Sequence, residues 1–496
     1  MSQTLPLPAP ERAWLAFDTR RWDEGCAKHL LRRLGYSATP AATALALREG
    51  PEMTVRRAFA TVRALPMPRK LENLSEESEE IRGKLKALTP EERKEFLKEL
   101  RRKNEAAIQD YGVSWLEFAR RPEHSAQEKF VQYLQDIFVI TAEKIKRSDQ
   151  LFDYQATLRR HIASDYASLT RAVMKHPAMF QFLDANQNSK GRPNENFARE
   201  LFELFCLGEG NYTEQDVKEA ARALTGATVR NGVYSVEARN HDQGEKVIFG
   251  KRGKFGPDEL IDLTIAQPAA AAYAPQELIK FYLAAEGLPR EYAVAFGRIW
   301  RASGLRISEL PRILFCSEIF YHPKFRGTLI KAPIAYYLGL CQDLGIDVIP
   351  YPGPVYNNLR AMGQPFFNPP NVRGWIYGRN WISTSSLAAR RAVARGLFNA
   401  VPDEKLNADD LKALKEARAA GRGQPWVTPD RLEFLAKNRT NAEIVVHLCN
   451  YFLPVPVSPE YRKVLEEHIQ PEGMKRIRSI EEAVTAILQS PLYQLS

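Results

Sequence analysis

Three groups of side chains in this sequence have the types and spacing that chemistry requires. The first centres on a single carboxylate. When the run from Pro193 to Leu207 is wound at about 100° per residue, Phe197, Ala198, Leu201, Phe202, Leu204 and Phe205 form one broad apolar face. Glu195, Arg199 and Glu203 form an i,i+4 row outside that face, and Glu200 falls at its margin, one turn after Asn196. A carboxylate there loses part of its hydration, which raises its pKa unless a cation sits beside it. Glu200 is therefore a candidate acid, base or metal ligand; an arginine from another helix would reduce it to an edge ion pair.

The second group is His241-Asp242, in a Gly- and Lys-rich stretch without helical period. An imidazole beside a carboxylate suits metal binding or proton transfer, but adjacent side chains can point apart and the same pair makes an ordinary turn. The third is Asn368-Pro369-Pro370-Asn371-Val372-Arg373-Gly374-Trp375, with Trp381 close behind. Amides beside flat apolar rings suit a sugar or another amphipathic ligand, although a loop pinned onto the core by its tryptophans would read the same way. On this reading catalysis falls to Glu200, His241 and Asp242, and ligand contact to Asn196, Asn368, Asn371, Trp375 and Trp381. Which metal or cofactor they would use, if any, is left open. Asp216, three residues after Thr213, reads as half of a capping box. The glycine-rich dinucleotide and phosphate loops, the H-E-x-x-H zinc helix and the G-x-S-x-G elbow are missing, so their chemistries have no support.

The elements that must position these groups are mostly helices. Cys26 to Leu34 stops at Gly35, Thr39-Pro40 opens a helix that stops at Gly50, and Thr89-Pro90-Glu91-Glu92 is a capping box. Phe130, Tyr133, Leu134 and Ile137 recur at helical spacing and mark the start of the main core. The β signal is Ala227 to Arg230, Asn231-Gly232, then Val233 to Val236, which predicts a type I′ hairpin. His241 to Gly256 predicts an extended surface loop. Tyr351 to Trp381 is too rich in proline and glycine for a helix and predicts a long aromatic loop.

The resulting expectation is an all-α, multi-helix bundle with one small inserted β-hairpin and a long Pro/Gly/aromatic loop. It divides into a helical lobe over 1–69, a charged helical arm over 70–112, a central core over 113–400 holding the hairpin near 227–237 and the loop 351–385, and a polar excursion with closing helices over 401–496. Five separated cysteines, Cys26, Cys206, Cys316, Cys341 and Cys449, read as buried thiols in a reducing compartment. The net charge of +10 would suit a polyanion, but Lys and Arg are interleaved with Glu, which argues against nucleic acid. No run is apolar enough to span a membrane. Met1 to Trp22 lacks a signal pattern, so a cytoplasmic protein is expected, with export alongside a partner left open.

Several stretches resemble the bacterial domain-of-unknown-function 1800 family. They are His29 to Tyr36, Asn194 to Leu201 with Leu207-Gly208-Glu209-Gly210 and Tyr212-Thr213-Glu214, and Phe367 to Trp375. His241-Asp242 and Arg326-Gly327 through Pro333 also fit, so the likeness runs from about Lys28 to Leu495. The resemblance implies no defined activity. It implies a companion exported protein as partner, and hence a non-catalytic accessory or assembly factor; the alternative is an enzyme with a metal- or cofactor-dependent site where the Glu200 helix, the His241 loop and the Asn371–Trp375 loop meet. One departure stands out. Where the family pattern reads F-W-x-N-H-F, this chain reads Tyr133-Leu134-Gln135-Asp136-Ile137-Phe138, without the histidine.

Overall fold

Helix ends fall where the sequence punctuates the chain. The computed structural model describes residues 5–75, 78–230, 232–349, 352–470 and 473–496; Met1 to Thr4, Asn231 and Tyr351 lie outside the described residues. Asp23 accepts from the Cys26 amide to start the helix Glu24–Leu34, and Thr39 with Pro40 starts Pro40–Ala58, which breaks at Gly50 (φ 74°). Thr89 and Glu92 form the reciprocal capping box of Pro90–Ala119. This 30-residue helix is about 45 Å long. Its exposed part carries the pairs Lys98–Glu95, Arg102–Glu99 and Arg101–Glu105, while Tyr111, Trp115 and Leu116 are buried in the core.

The fold is mainly helical, as expected, but the described residues contain two hairpins. Strand β1 (Ala227–Arg230) pairs antiparallel with β2 (Val233–Val236), Arg230 opposite Val233, and Gly232 takes the positive φ that the tight turn needs. The predicted surface loop from His241 to Gly256 holds a second pair, β3 (Lys246–Ile248) with β4 (Lys251–Gly253). Phe249 and Gly250 both adopt positive φ there, so the turn forms without an Asn-Gly dipeptide. Its three-residue strands are too short to display alternation. The predicted aromatic loop is also shorter than expected, because Pro352–Ala361 is a helix. Pro352 and Pro354 lie in its first turn, where backbone N–H groups have no intrahelical acceptor to lose.

One apolar cluster runs through the chain from Ala13 to Tyr493, and all five cysteines are free and buried. No described helix is long and apolar enough to cross a membrane. At the centre of the cluster lies the helix Pro122–Ile137, whose Glu128 side chain is 0% exposed. Arg159, from the helix Ser148–Arg160, reaches both Glu128 oxygens at 2.7 Å, and Trp115 Nε1 donates to Oε2 at 2.8 Å. Three helices are thus joined at one carboxylate.

Removing one partner leaves the other as an unpaired buried charge, so Arg159→Met should cost about 3–5 kcal/mol in urea unfolding. The double variant Arg159→Met, Glu128→Leu should recover most of that loss; equal destabilisation of the single and double variants would show that the pair is not what the site pays for.

Candidate functional site

The run from Pro193 to Leu207 does not stay α-helical. Asn194 caps Glu195–Glu200 by accepting from the Asn196 amide at 3.0 Å, and Leu201–Cys206 then winds as a π-helix. The wider turn breaks the expected i,i+4 row. Arg199 pairs with Glu195 at 3.4 Å and Glu214 at 2.7 Å, while Glu203 takes Arg373 at 2.7 Å. The π turn also offers carbonyls to other elements: Tyr166 Oη donates to Phe205 O, and Tyr273 Oη to Leu204 O. Gly208 and Gly210, both at positive φ, close the segment.

This segment lines a groove of about 750 Å³. Tyr273 and Glu277 of the helix Pro268–Tyr282 line it too, as do residues of the loop from Val372 to Asn380. Tyr133 and Asp136, from the last turns of Pro122–Ile137, complete its inner wall. Asp136 also faces a smaller internal cavity of about 50 Å³.

The loop is fastened to Asp136. Tyr377 Oη donates to the carboxylate, the Trp375 backbone amide adds a second hydrogen bond, and Tyr133 Oη is turned to Ala274 O at 2.7 Å. Gly374 (φ 78°) passes so close that a Cβ there would lie 3.2 Å from the Asp136 carbonyl oxygen. Burial pushes the Asp136 carboxyl well above the usual carboxylate range; the Glu277 carboxylate pushes the same way and the Trp375 amide opposes. Several other charges of the groove are paired, while Arg290 donates to Asn211 Oδ1 at 2.7 Å. Glu277 holds Lys280 at 2.7 Å, and Arg373 bridges Glu203 at 2.7 Å and Glu209 at 2.6 Å. Behind the loop, Trp381 packs against Trp375 and Tyr377 with ring centroids 5.6 and 5.9 Å away. A buried carboxyl, tyrosine hydroxyls and a tryptophan face can together bind hydroxyl groups and cover an apolar ring.

Of the residues singled out from the sequence, Trp375 lines the groove and Trp381 is buried behind it. Glu200 is half-buried next to Glu203 and Arg373, and among the described residues it makes no hydrogen bond or ion pair. Burial and the Glu203 charge raise its pKa, while Arg373 and Arg199 lower it. The Glu200 helix and the Arg373 loop are therefore brought together. The asparagines serve the backbone: Asn196 Nδ2 reaches Leu183 O at 3.4 Å, Asn368 Oδ1 accepts from the Glu143 amide at 3.3 Å, and Asn371 Oδ1 accepts from the Arg373 amide at 2.8 Å.

His241 and Asp242 are held by other elements. His241 Nδ1 donates to Thr225 O at 2.8 Å, and Asp242 pairs with Arg222 at 2.8 Å and accepts from the Gly244 amide, so Arg222 first of all lowers its carboxyl to about 2. Neither lines the groove. Asp216 accepts from the Thr213 amide at 2.9 Å, as a capping box requires. Ile137, at the position of the missing histidine, is 1% exposed and part of the apolar core. Among the described residues no three His, Cys, Asp or Glu side chains converge as a metal site would need.

Sequence reading missed Asp136, Tyr273, Glu277 and the role of Tyr377. Asp136 alone had a usable signal: it is the acidic residue of the stretch that departs from the family pattern, at the place of that pattern's asparagine.

Two outcomes follow. Gly374→Ala should cost about 1–2 kcal/mol from the left-handed backbone alone and should loosen the loop, read as increased Trp375 fluorescence quenching by acrylamide. For Asp136 the folded pKa exceeds the unfolded one, so its contribution to stability is complete below the ordinary carboxylate pKa and is lost as pH rises through the folded value. Asp136→Asn should remove that loss, so the variant should gain in Tm relative to the parent as pH is raised from 4 to 8; parallel Tm profiles would contradict it.

A search of curated proteins and a search of solved structures return no significant match. A family profile described as a protein of unknown function (DUF1800) matches residues 29–495. With nearly its whole length matched, the chain belongs to the DUF1800 family of proteins of unknown function.

Proposed function

We propose that this protein is a non-catalytic accessory factor that binds a neutral polyhydroxylated ligand, such as an oligosaccharide, in the groove beside Asp136 and Trp375. The observation that carries this reading is the junction of Asp136, Tyr377 and Trp375 in a groove of about 750 Å³. Its polar groups are already engaged with one another, which suits holding a ligand more than activating a nucleophile. Glu203, Glu209 and Glu277 meet their cations at 2.6–2.7 Å, so the groove offers little net charge to attract an ion. A companion exported protein, implied by the family resemblance, would be the other participant, with the ligand as their shared object.

A second reading keeps the groove and makes the chain an enzyme. It is favoured by the place of Asp136 on the groove wall, where burial pushes its carboxyl upward, the direction that a general acid for a glycosidic oxygen requires. The metal-dependent form of that reading has no cluster of three His, Cys, Asp or Glu side chains among the described residues to rest on.

Tryptophan fluorescence and calorimetry of the full chain with neutral tetrasaccharides of α-linked glucose, β-linked glucose and β-linked N-acetylglucosamine test the proposal. At least one should bind saturably, and Trp375→Ala should weaken it about tenfold, ~1.4 kcal/mol. Silence with all three sinks the ligand reading. Release of reducing ends, abolished by Asp136→Asn with binding retained, would replace the accessory role by the enzymatic one.

A further inference from the structure

The interior beneath the helix Glu24–Leu34 collects five buried basic side chains. Arg32, Arg33, Lys129, Lys331 and Arg390 are all at most 8% exposed, and the buried carboxylate among them is Asp343. Buried charges are normally paired or hydrogen-bonded, because leaving water costs each of them several kcal/mol. The arginines meet that condition through carbonyls. Arg33 donates to Tyr282 O and Phe325 O, both at 2.6 Å, Arg32 to Tyr451 O at 2.9 Å, and Arg390 to Lys331 O at 2.8 Å. Lys129 reaches Gly35 O at 2.6 Å. Asp343 is itself held by Ser37 and by Tyr493 Oη at 2.7 Å.

Lys331 is the exception. Its ammonium lies 3.7 Å from the centre of the Tyr493 ring and, among the described residues, donates no hydrogen bond. It lines a chamber of about 30 Å³ together with Arg32, Lys129 and the buried Ser496. Two or three waters, or one carboxylate group, would occupy that space at roughly 10–15 Å³ per water. Ala332 and Ala335, at the start of the helix Pro333–Asp343, line it as well, so the positive end of a helix dipole is added to the three basic side chains. Phe281 and Tyr377 line both this chamber and the groove.

We propose that the chamber is a binding site for one small oxyanion, a carboxylate, held by Lys331, Lys129 and Arg32. The inference goes beyond the groove reading and does not need it: the chamber can take a free carboxylate, or one carried by a longer ligand whose body lies on the groove side of Tyr377. Burial above all brings the Lys331 amine down to about 7; Arg32, Arg390 and Lys129 push the same way, and Asp343 opposes them. A bound anion restores the proton. Binding at pH 8 therefore takes up protons, and affinity falls as pH rises from 7 to 9.

Calorimetry of the full chain with sodium acetate, and separately with glucuronate, in two pH 8 buffers of different ionisation enthalpy, tests this. Saturable one-to-one binding of either probe with proton uptake, weakened at least tenfold by Lys331→Met, is the expected result. Acetate binding marks a site for a free anion, and binding of glucuronate alone marks a carboxylate carried on a sugar. Should Lys331→Met fail to fold, Lys129→Met carries the same comparison. Absence of binding by the parent chain to both probes, or unchanged affinity in the folded variants, overturns the proposal. Neutral oligosaccharides play no part in this measurement, so its failure leaves the groove reading intact.

Discussion

A buried carboxylate sets the geometry on which the rest of this molecule depends. Glu128 is enclosed by Arg159, Trp115 and Gln127, and because its hydrogen bonds are directional it fixes the rotation of the Pro122–Ile137 helix as well as its position. With that rotation set, Lys129, Tyr133 and Asp136 share the neighbouring face, at spacings of four and three residues. Lys129 faces the cationic chamber, Tyr133 and Asp136 the groove. One structural ion pair therefore decides what two cavities are lined with.

The groove itself depends on departures from regular structure. An α-helix through Cys206 would have kept Glu203 in register with Arg199 and its carbonyls within the helix. The π turn instead releases Glu203 to Arg373 and two carbonyls to Tyr166 and Tyr273, which ties the loop and the Pro268–Tyr282 helix to the same short segment. Gly374 contributes a left-handed residue at the one place where the loop must pass against the Asp136 backbone. Irregular winding of this kind is common at functional sites because it aims groups that a regular helix would occupy.

Charge is distributed by the same logic. Glu203 and Glu209 at the groove are paired with Arg373, the carboxyl at its inner wall is pushed towards its neutral form, and basic side chains gather around the chamber that shares Tyr377 and Phe281 with the groove. Two adjoining cavities that share Phe281 and Tyr377 but differ in their polar groups suit different ligand ends.

Signals confined to a few consecutive residues were legible in the sequence. Thr89 with Glu92 and Thr213 with Asp216 gave away their helix starts, Asn231-Gly232 the first hairpin, and the margin position of Glu200 its partial burial, since each depends on neighbours within one turn. The family signature in Phe367 to Trp375 led to the loop that lines the groove. The π turn and the second hairpin escaped, because both result from competition between local winding and distant partners. What joins Asp136 to Tyr377, 241 residues away, or leaves Lys331 between arginines from two separate segments, was decided only when the chain was packed. Desolvation and pairing depend on everything within a few ångströms of a group, and sequence spacing carries that information only for residues that share a helix or a turn.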